Sequence, residues 1–219
     1  MPDTTKRVLC FGDSLTWGWV PVAEGECSSR YPFEERWTGV MAGALGDGYE
    51  IVEEGLGGRT TTADDPIDPR LNGSRYLPSA LASHLPLDLV IIMLGTNDTK
   101  AHFGRTPYDI ATGMAVLLRQ VAQSAGGVGT AYPAPRALVV APPRLGELTG
   151  PWRNEVFRDA PEKTARLAGL YRALADASGA AFVDAGEHIT TDGKDGIHFT
   201  PENNEVLGRA LADAVAGLL

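Results

Sequence analysis

The chain is poor in the features that would take it out of the ordinary globular class. Its 219 residues include only two cysteines, Cys10 and Cys27, too few for a disulfide framework and without the spacing of a metal site. Reduced thiols in a cytoplasmic protein are therefore expected, with no metal and no cofactor. No apolar run approaches the length of a membrane span, and the opening residues Met1-Pro2-Asp3-Thr4-Thr5-Lys6 lack a signal-peptide core. Positive charge is also scarce: 19 Lys and Arg stand against 28 Asp and Glu, a net charge of −9, and no basic run occurs. That balance argues against nucleic acid or an anionic membrane as partner. Internal repeats and low-complexity tracts are missing. So are the Gly-x-Ser-x-Gly elbow of α/β-hydrolases and the phosphate-binding loop Gly-x-x-x-x-Gly-Lys-Ser/Thr.

What is present alternates. Apolar runs of strand length and composition lie at 7–11, 49–53, 87–94, 136–141 and 181–183. Between them, residues 37–45, 107–124, 162–177 and 202–218 have helical spacing. Thr106 before Pro107, and Thr200 before Pro201, read as N-caps followed by proline at the first helical position. Residues 20–36, 61–78 and 142–161 are rich in Pro, Gly or Asp and read as ordered but irregular. The carboxylates of Asp64, Asp65 and Asp68 lack calcium-loop spacing and read as turn formers. Alternation of this kind predicts one α/β domain over residues 1–219. The expected fold is a three-layer, flavodoxin-like parallel sheet of five strands with helices on both faces.

In such a sheet, ligands bind at the carboxyl ends of the strands, so polar residues there carry the functional reading. The first strand runs into Gly12-Asp13-Ser14, with Gly12 free to make the tight turn and Ser14 where a helix would begin. A serine so placed is either an N-cap or a nucleophile whose own N–H helps to hold an oxyanion. Asp13 is expected to brace this turn by hydrogen bonding. The strongest strand ends in Gly95-Thr96-Asn97-Asp98, where Asn97 offers a side-chain amide. The second leads to Gly57-Gly58-Arg59, where Gly58 offers an unobstructed backbone N–H. Near the other end of the chain, Asp195 precedes His198 by three residues in a turn containing Gly196. That step can set a carboxylate on imidazole Nδ1 and leave Nε2 for a serine proton. Asp192 is the competing carboxylate, and the three-residue step favours Asp195. His84 is expected to end a helix and His188 to lie at the surface, while His102 follows Asn97 closely enough to line the site.

These blocks, Gly12-Asp13-Ser14-Leu15, Gly58, Gly95-Thr96-Asn97-Asp98 and Asp195-Gly196-Ile197-His198, resemble those of the SGNH, or GDSL, hydrolase superfamily in order and spacing. The resemblance implies Ser14 as nucleophile, Asp195 and His198 as its triad partners, and Ser14, Gly58 and Asn97 as the oxyanion hole. The stretches Phe11 to Val20, Asp65-Pro66, Asp68 to Gly73 and Leu85 to Lys100 are further similar to the mycobacterial arylesterase/acyltransferase branch, over nearly the whole chain. One departure is Gly58, where the acyltransferase of that branch has alanine; the backbone donor survives the change. The branch implies a serine esterase for short-acyl or aryl esters that also passes the acyl group to alcohols or peroxide in water. It also implies a homo-oligomer, the octamer among its forms. Asp13, Leu15, Trp19, Thr96, Lys100, Phe157 and Ile197 are expected to bind substrate. The partners implied are a small-molecule ester and a nucleophilic acyl acceptor. A carbohydrate or lipid esterase of the same superfamily is the runner-up, and a non-catalytic flavodoxin-like phosphate-binding module the third reading.

Overall fold

The five apolar runs pair side by side as parallel strands in the computed structural model, which describes residues 5–219. Residues 1–4, on which the expectation of no signal-peptide core partly rests, lie outside the described residues. The strands are β1 (Lys6–Gly12), β2 (Tyr49–Gly55), β3 (Leu89–Met93), β4 (Arg136–Ala141) and β5 (Ala181–Asp184), in the order β2-β1-β3-β4-β5. This is the flavodoxin-like order, with its reversal between β1 and β3. The helices are α1 (Ser14–Trp17), α2 (Trp37–Leu45), α3 (Gly73–Ser83), α4 (Pro107–Ala122), α5 (Pro151–Val156), α6 (Ala160–Thr164), α7 (Leu167–Ser178) and α8 (Pro201–Leu218).

Alternation along each strand divides the core in two, because successive side chains point to opposite faces. Leu89, Ile91 and Met93 of β3 join Trp37 and Met41 of α2 and Leu207, Leu211 and Val215 of α8. Val90 and Ile92 join Leu77 and Leu81 of α3, Ile110, Met114 and Leu117 of α4, and Tyr171 of α7. A strand covered on both faces must be apolar throughout, and all five residues of β3 are buried. The three layers predicted from the sequence are therefore present.

Several expectations are corrected. Residues 61–78 were expected to be irregular, yet α3 begins at Gly73, capped by the Asn72 side chain, which accepts from the Ser74 N–H. Pro78 lies inside that helix and cannot donate to the carbonyl of Ser74, four residues back. Gln120 Nε2 of α4 donates to that carbonyl instead, at 2.8 Å. The stretch 142–161 contains α5 and the start of α6. The carboxylate of Glu24 caps α5, accepting from the N–H groups of Trp152 at 3.2 Å and Arg153 at 2.9 Å. The helix expected over 162–177 is broken after Thr164, whose hydroxyl donates back to Ala160 O and accepts from the Leu145 N–H. Gly12 is required for space rather than for a left-handed turn: a Cβ there would sit 2.0 Å from Thr16 Oγ1. Two N-caps are as expected, Thr106 forming a capping box with Asp109 and Thr200 with Asn203.

Candidate active site

Three strand ends and the turn before α8 meet at the carboxyl edge of the sheet. Asp13, between β1 and α1, caps α1 by accepting from the Leu15 N–H at 2.9 Å. This cap puts Ser14 in the first turn, with its hydroxyl toward the edge of the sheet. Arg59 supports the turn from beneath: its guanidinium donates to Gly12 O at 2.8 Å and to Glu54 O, and lies over the Phe11 ring at 4.2 Å.

Ser14 Oγ is 2.9 Å from His198 Nε2, although 184 residues separate them. His198 Nδ1 is 2.7 Å from Asp195 Oδ2, while Asp195 Oδ1 accepts from the N–H groups of Ile197 at 3.0 Å and His198 at 2.9 Å. Asp195 is fully buried. Burial alone would raise its carboxyl, but the hydrogen bond and charge of the His198 imidazole, with the two backbone N–H groups, outweigh it and hold the carboxyl at about 2. Asp195, and not Asp192, therefore partners the imidazole. The indole of Trp19 stacks on the opposite side of this arrangement, its ring 5.4 Å from that of His198 and inclined by 22°.

The amide of Asn97 arrives from the end of β3. Its Nδ2 is 3.1 Å from Asp13 Oδ2 and 3.2 Å from Arg59 O. Asp13 thus braces both the Ser14 turn and this amide. Among the described residues, the backbone N–H groups of Ser14 and Gly58 have no protein acceptor. Gly58 has φ +86°, a conformation that favours glycine, and a Cβ there would come within 3.1 Å of Leu71 Cδ1. Ser14, Gly58 and Asn97 all line one cavity of about 960 Å³, the size of a small-molecule site.

Trp19, Lys100, Phe157, Ile197 and His198 line the same cavity. Phe157 and Ile197 also pack with Leu145 and Ala160 in a small core beneath the rim. The expectation that Asp13, Leu15 and Thr96 touch substrate is corrected, since none of the three lines the cavity. Leu15 points into the core with Trp37, Asp13 is engaged behind the wall, and Thr96 is buried. His102 lines the cavity, His188 is exposed, and His84 caps the end of α3 with Nε2 2.9 Å from Glu54 Oε1. Sequence reasoning missed Ile67, Phe103, Arg153 and Val156, which complete the wall. No local signal marks Ile67, Arg153 and Val156, because α5 and the 61–72 segment are brought to the mouth by long-range contacts; Phe103, next to His102, could have been found by its nearness to Asn97. Among the described residues, no cluster of His, Cys, Asp or Glu could hold a metal, and no helix is long and apolar enough to cross a membrane.

Comparison with known proteins fits this geometry. The model of the GDSL-like lipase/acylhydrolase family matches residues 10–206. A carbohydrate acetylesterase from Sinorhizobium meliloti is 62% identical, with a TM-score of 0.97 over 98% of this chain and 100% of that one. A Mycobacterium smegmatis aryl esterase is 61% identical, with the same TM-score and coverage. A member of the lipolytic G-D-S-L family from Veillonella parvula, at 12% identity and a TM-score of 0.68 over 97% of this chain and 99% of its own, shares the fold. A search of curated proteins gave no significant match.

Proposed function

Because the chain belongs to the GDSL-like lipase/acylhydrolase family, whose model spans most of its length, we propose that it is a serine ester hydrolase working through an acyl-serine intermediate. The observation that carries the reading is the unbroken chain Ser14 Oγ, His198 Nε2, His198 Nδ1 and Asp195 Oδ2, at 2.9 and 2.7 Å. His198 takes the Ser14 proton as Oγ attacks the ester carbonyl, then gives that proton to the departing alcohol. The N–H groups of Ser14 and Gly58 hold the oxyanion, and the Asn97 amide joins them as the substrate oxygen replaces Arg59 O as acceptor for one of its two N–H. A second nucleophile then attacks the acyl group with His198 as base, and Ser14 is regenerated. Asp195 keeps the imidazole in the tautomer that leaves Nε2 free.

The substrates proposed are short-acyl or aryl esters. Trp19, Phe103, Trp152 and Phe157 supply aromatic wall, and such a wall discourages water and leaves the acyl-enzyme to alcohols or peroxide. Ile67 and Trp152 are 91% and 72% exposed at the same mouth, which supports a homo-oligomer that covers them. Carbohydrate esters are the second reading. The acetylesterase match and the polar groups Asp64, Asp65, Lys100 and His102 on the wall favour it. Ser14→Ala is expected to abolish p-nitrophenyl acetate hydrolysis and labelling by a fluorophosphonate; near-wild-type turnover would refute the assignment. Product partitioning in water containing a primary alcohol, with an acetylated-sugar panel and a light-scattering mass, separates the finer readings.

A further inference from the structure

The ionic groups on the cavity wall are unevenly satisfied. Asp64 accepts from Asn72 Nδ2 at 2.7 Å and from Arg75 Nη2 at 2.6 Å. Asp65 accepts from the N–H groups of Ile67 at 2.8 Å and Asp68 at 3.1 Å. The cations have no such partners. Among the described residues, Lys100 Nζ makes neither a hydrogen bond nor an ion pair, and its contact is the Phe157 ring, centred 5.9 Å away. Arg153 lines the cavity, donates Nη2 to Val22 O at 3.0 Å, and has no carboxylate in ion-pair range among the described residues.

This asymmetry is physically costly. Burial lowers the pKa of the Lys100 amine, against the longer-range pull of Asp65, Asp13 and Asp98. An unpaired, partly desolvated donor forfeits hydration that nothing in the protein replaces. A ligand oxygen bearing negative charge restores it with charge-assisted hydrogen bonds. The neighbouring carboxylates set an upper limit on that charge: two cations beside Asp64 and Asp65 suit a monoanion better than a dianion. Lys100 also follows Asn97 by three residues, on the segment that brings the amide to the nucleophile, so the amine reads a group close to the scissile bond.

We propose that Lys100 and Arg153 are specificity-determining residues and that the preferred ester carries a carboxylate, in either its acyl or its alcohol half. The inference rests on the reading of Ser14 as nucleophile. The test compares kcat/KM for two matched pairs, normalised to hydroxide rates. 4-Acetoxybenzoate against its methyl ester places the charge in the leaving half, and monophenyl glutarate against phenyl butyrate places it in the acyl half. The charged member is expected to lead in at least one pair by about tenfold, the scale of one charged hydrogen bond. Lys100→Met is expected to erase that ratio, Lys100→Arg to keep it, Arg153→Gln to reduce it, and added salt to compress it. A wild-type ratio at or below one in both pairs, or a ratio that Lys100→Met leaves intact, would overturn the proposal. Normal turnover of the neutral esters in that case leaves the esterase reading standing. A wild-type protein inert to all four esters and unlabelled by fluorophosphonate would remove both.

Discussion

Asp13 meets opposing demands from folding and from chemistry. Burial raises its carboxyl to about 6, against the lowering by the Leu15 N–H, His198 and Arg59 and with a further rise from Asp98. A folded state that holds this proton more tightly than the unfolded chain has its full share of stability below 3.8, the ordinary value of an aspartate. It loses that share as the pH climbs through about 6. The ionised carboxylate is nevertheless the form that accepts from Leu15 and Asn97 together. Asp13→Asn is therefore expected to flatten the decline in urea midpoint between pH 4 and 8. It is also expected to lower kcat by about tenfold or more, because the Asn97 donor is no longer held in place. Urea titrations and steady-state kinetics on the one variant check both halves, and an unchanged kcat would sink the bracing role. At this scale the sequence was informative where side chains fall in motifs: the convergence of Ser14, Asn97, Asp195 and His198 was legible from residue type and spacing. It failed for Leu15 and Thr96, since adjacency to a functional residue does not say which way a side chain faces. It failed for Arg153 because that residue is held at the wall by its backbone N–H on Glu24 and its guanidinium on Val22 O, more than a hundred positions away.

Elements were readable when their own sequence contained the reason for them. α2 and β4 occupy the residues expected, because periodicity and a flanking glycine or polar residue bound each one locally. α3 was hidden because its stability depends on a partner outside itself. Asn72, Gly73 and Pro78 read locally as breakers, and only Gln120 of α4 satisfies the carbonyl that Pro78 leaves open. Gln120→Ala should then cost about 1 kcal/mol, the scale of one hydrogen bond to a part-buried acceptor. Pro78→Ala should recover most of that loss, since the new amide N–H can reach Ser74 O. A double-mutant cycle in denaturant measures the coupling; additive effects would mean that the two residues serve Ser74 independently. The capping of α5 by Glu24 is a second case of the same kind, and it escapes sequence reading for the same reason.

For the whole molecule, the consequence of the strand order is that the site has no local home. Ser14 leaves β1, beside the central strand β3, while His198 enters from the turn before α8, the helix that packs on α2 through Trp37, Leu207 and Leu211. Tyr31 Oη donates to Phe199 O at 3.3 Å, and the Trp37 N–H donates to Asn204 Oδ1 at 3.1 Å, stitching the two regions together. Leu211→Ala, in the fully buried layer, is expected to destabilise the fold by about 2–5 kcal/mol. Esterase activity and far-ultraviolet circular dichroism should nonetheless fall at one and the same denaturant concentration. Activity lost well ahead of the dichroism would place α8 in a separate unfolding unit. The alternation of apolar runs made the sheet and its layers legible. The turn that joins its distant ends was legible only through the Asp195 and His198 pair.

The 184-residue separation of serine and imidazole also has a meaning in time. Translation proceeds at about 5–20 residues per second, so a ribosome that has just made the serine needs roughly ten to forty seconds more to make its imidazole partner. Throughout that interval the nascent chain carries an ordinary alcohol, no more reactive than any other serine in the cell. On the proposed mechanism, the hydroxyl gains its base only once residue 198 has been added and the sheet has brought the two together.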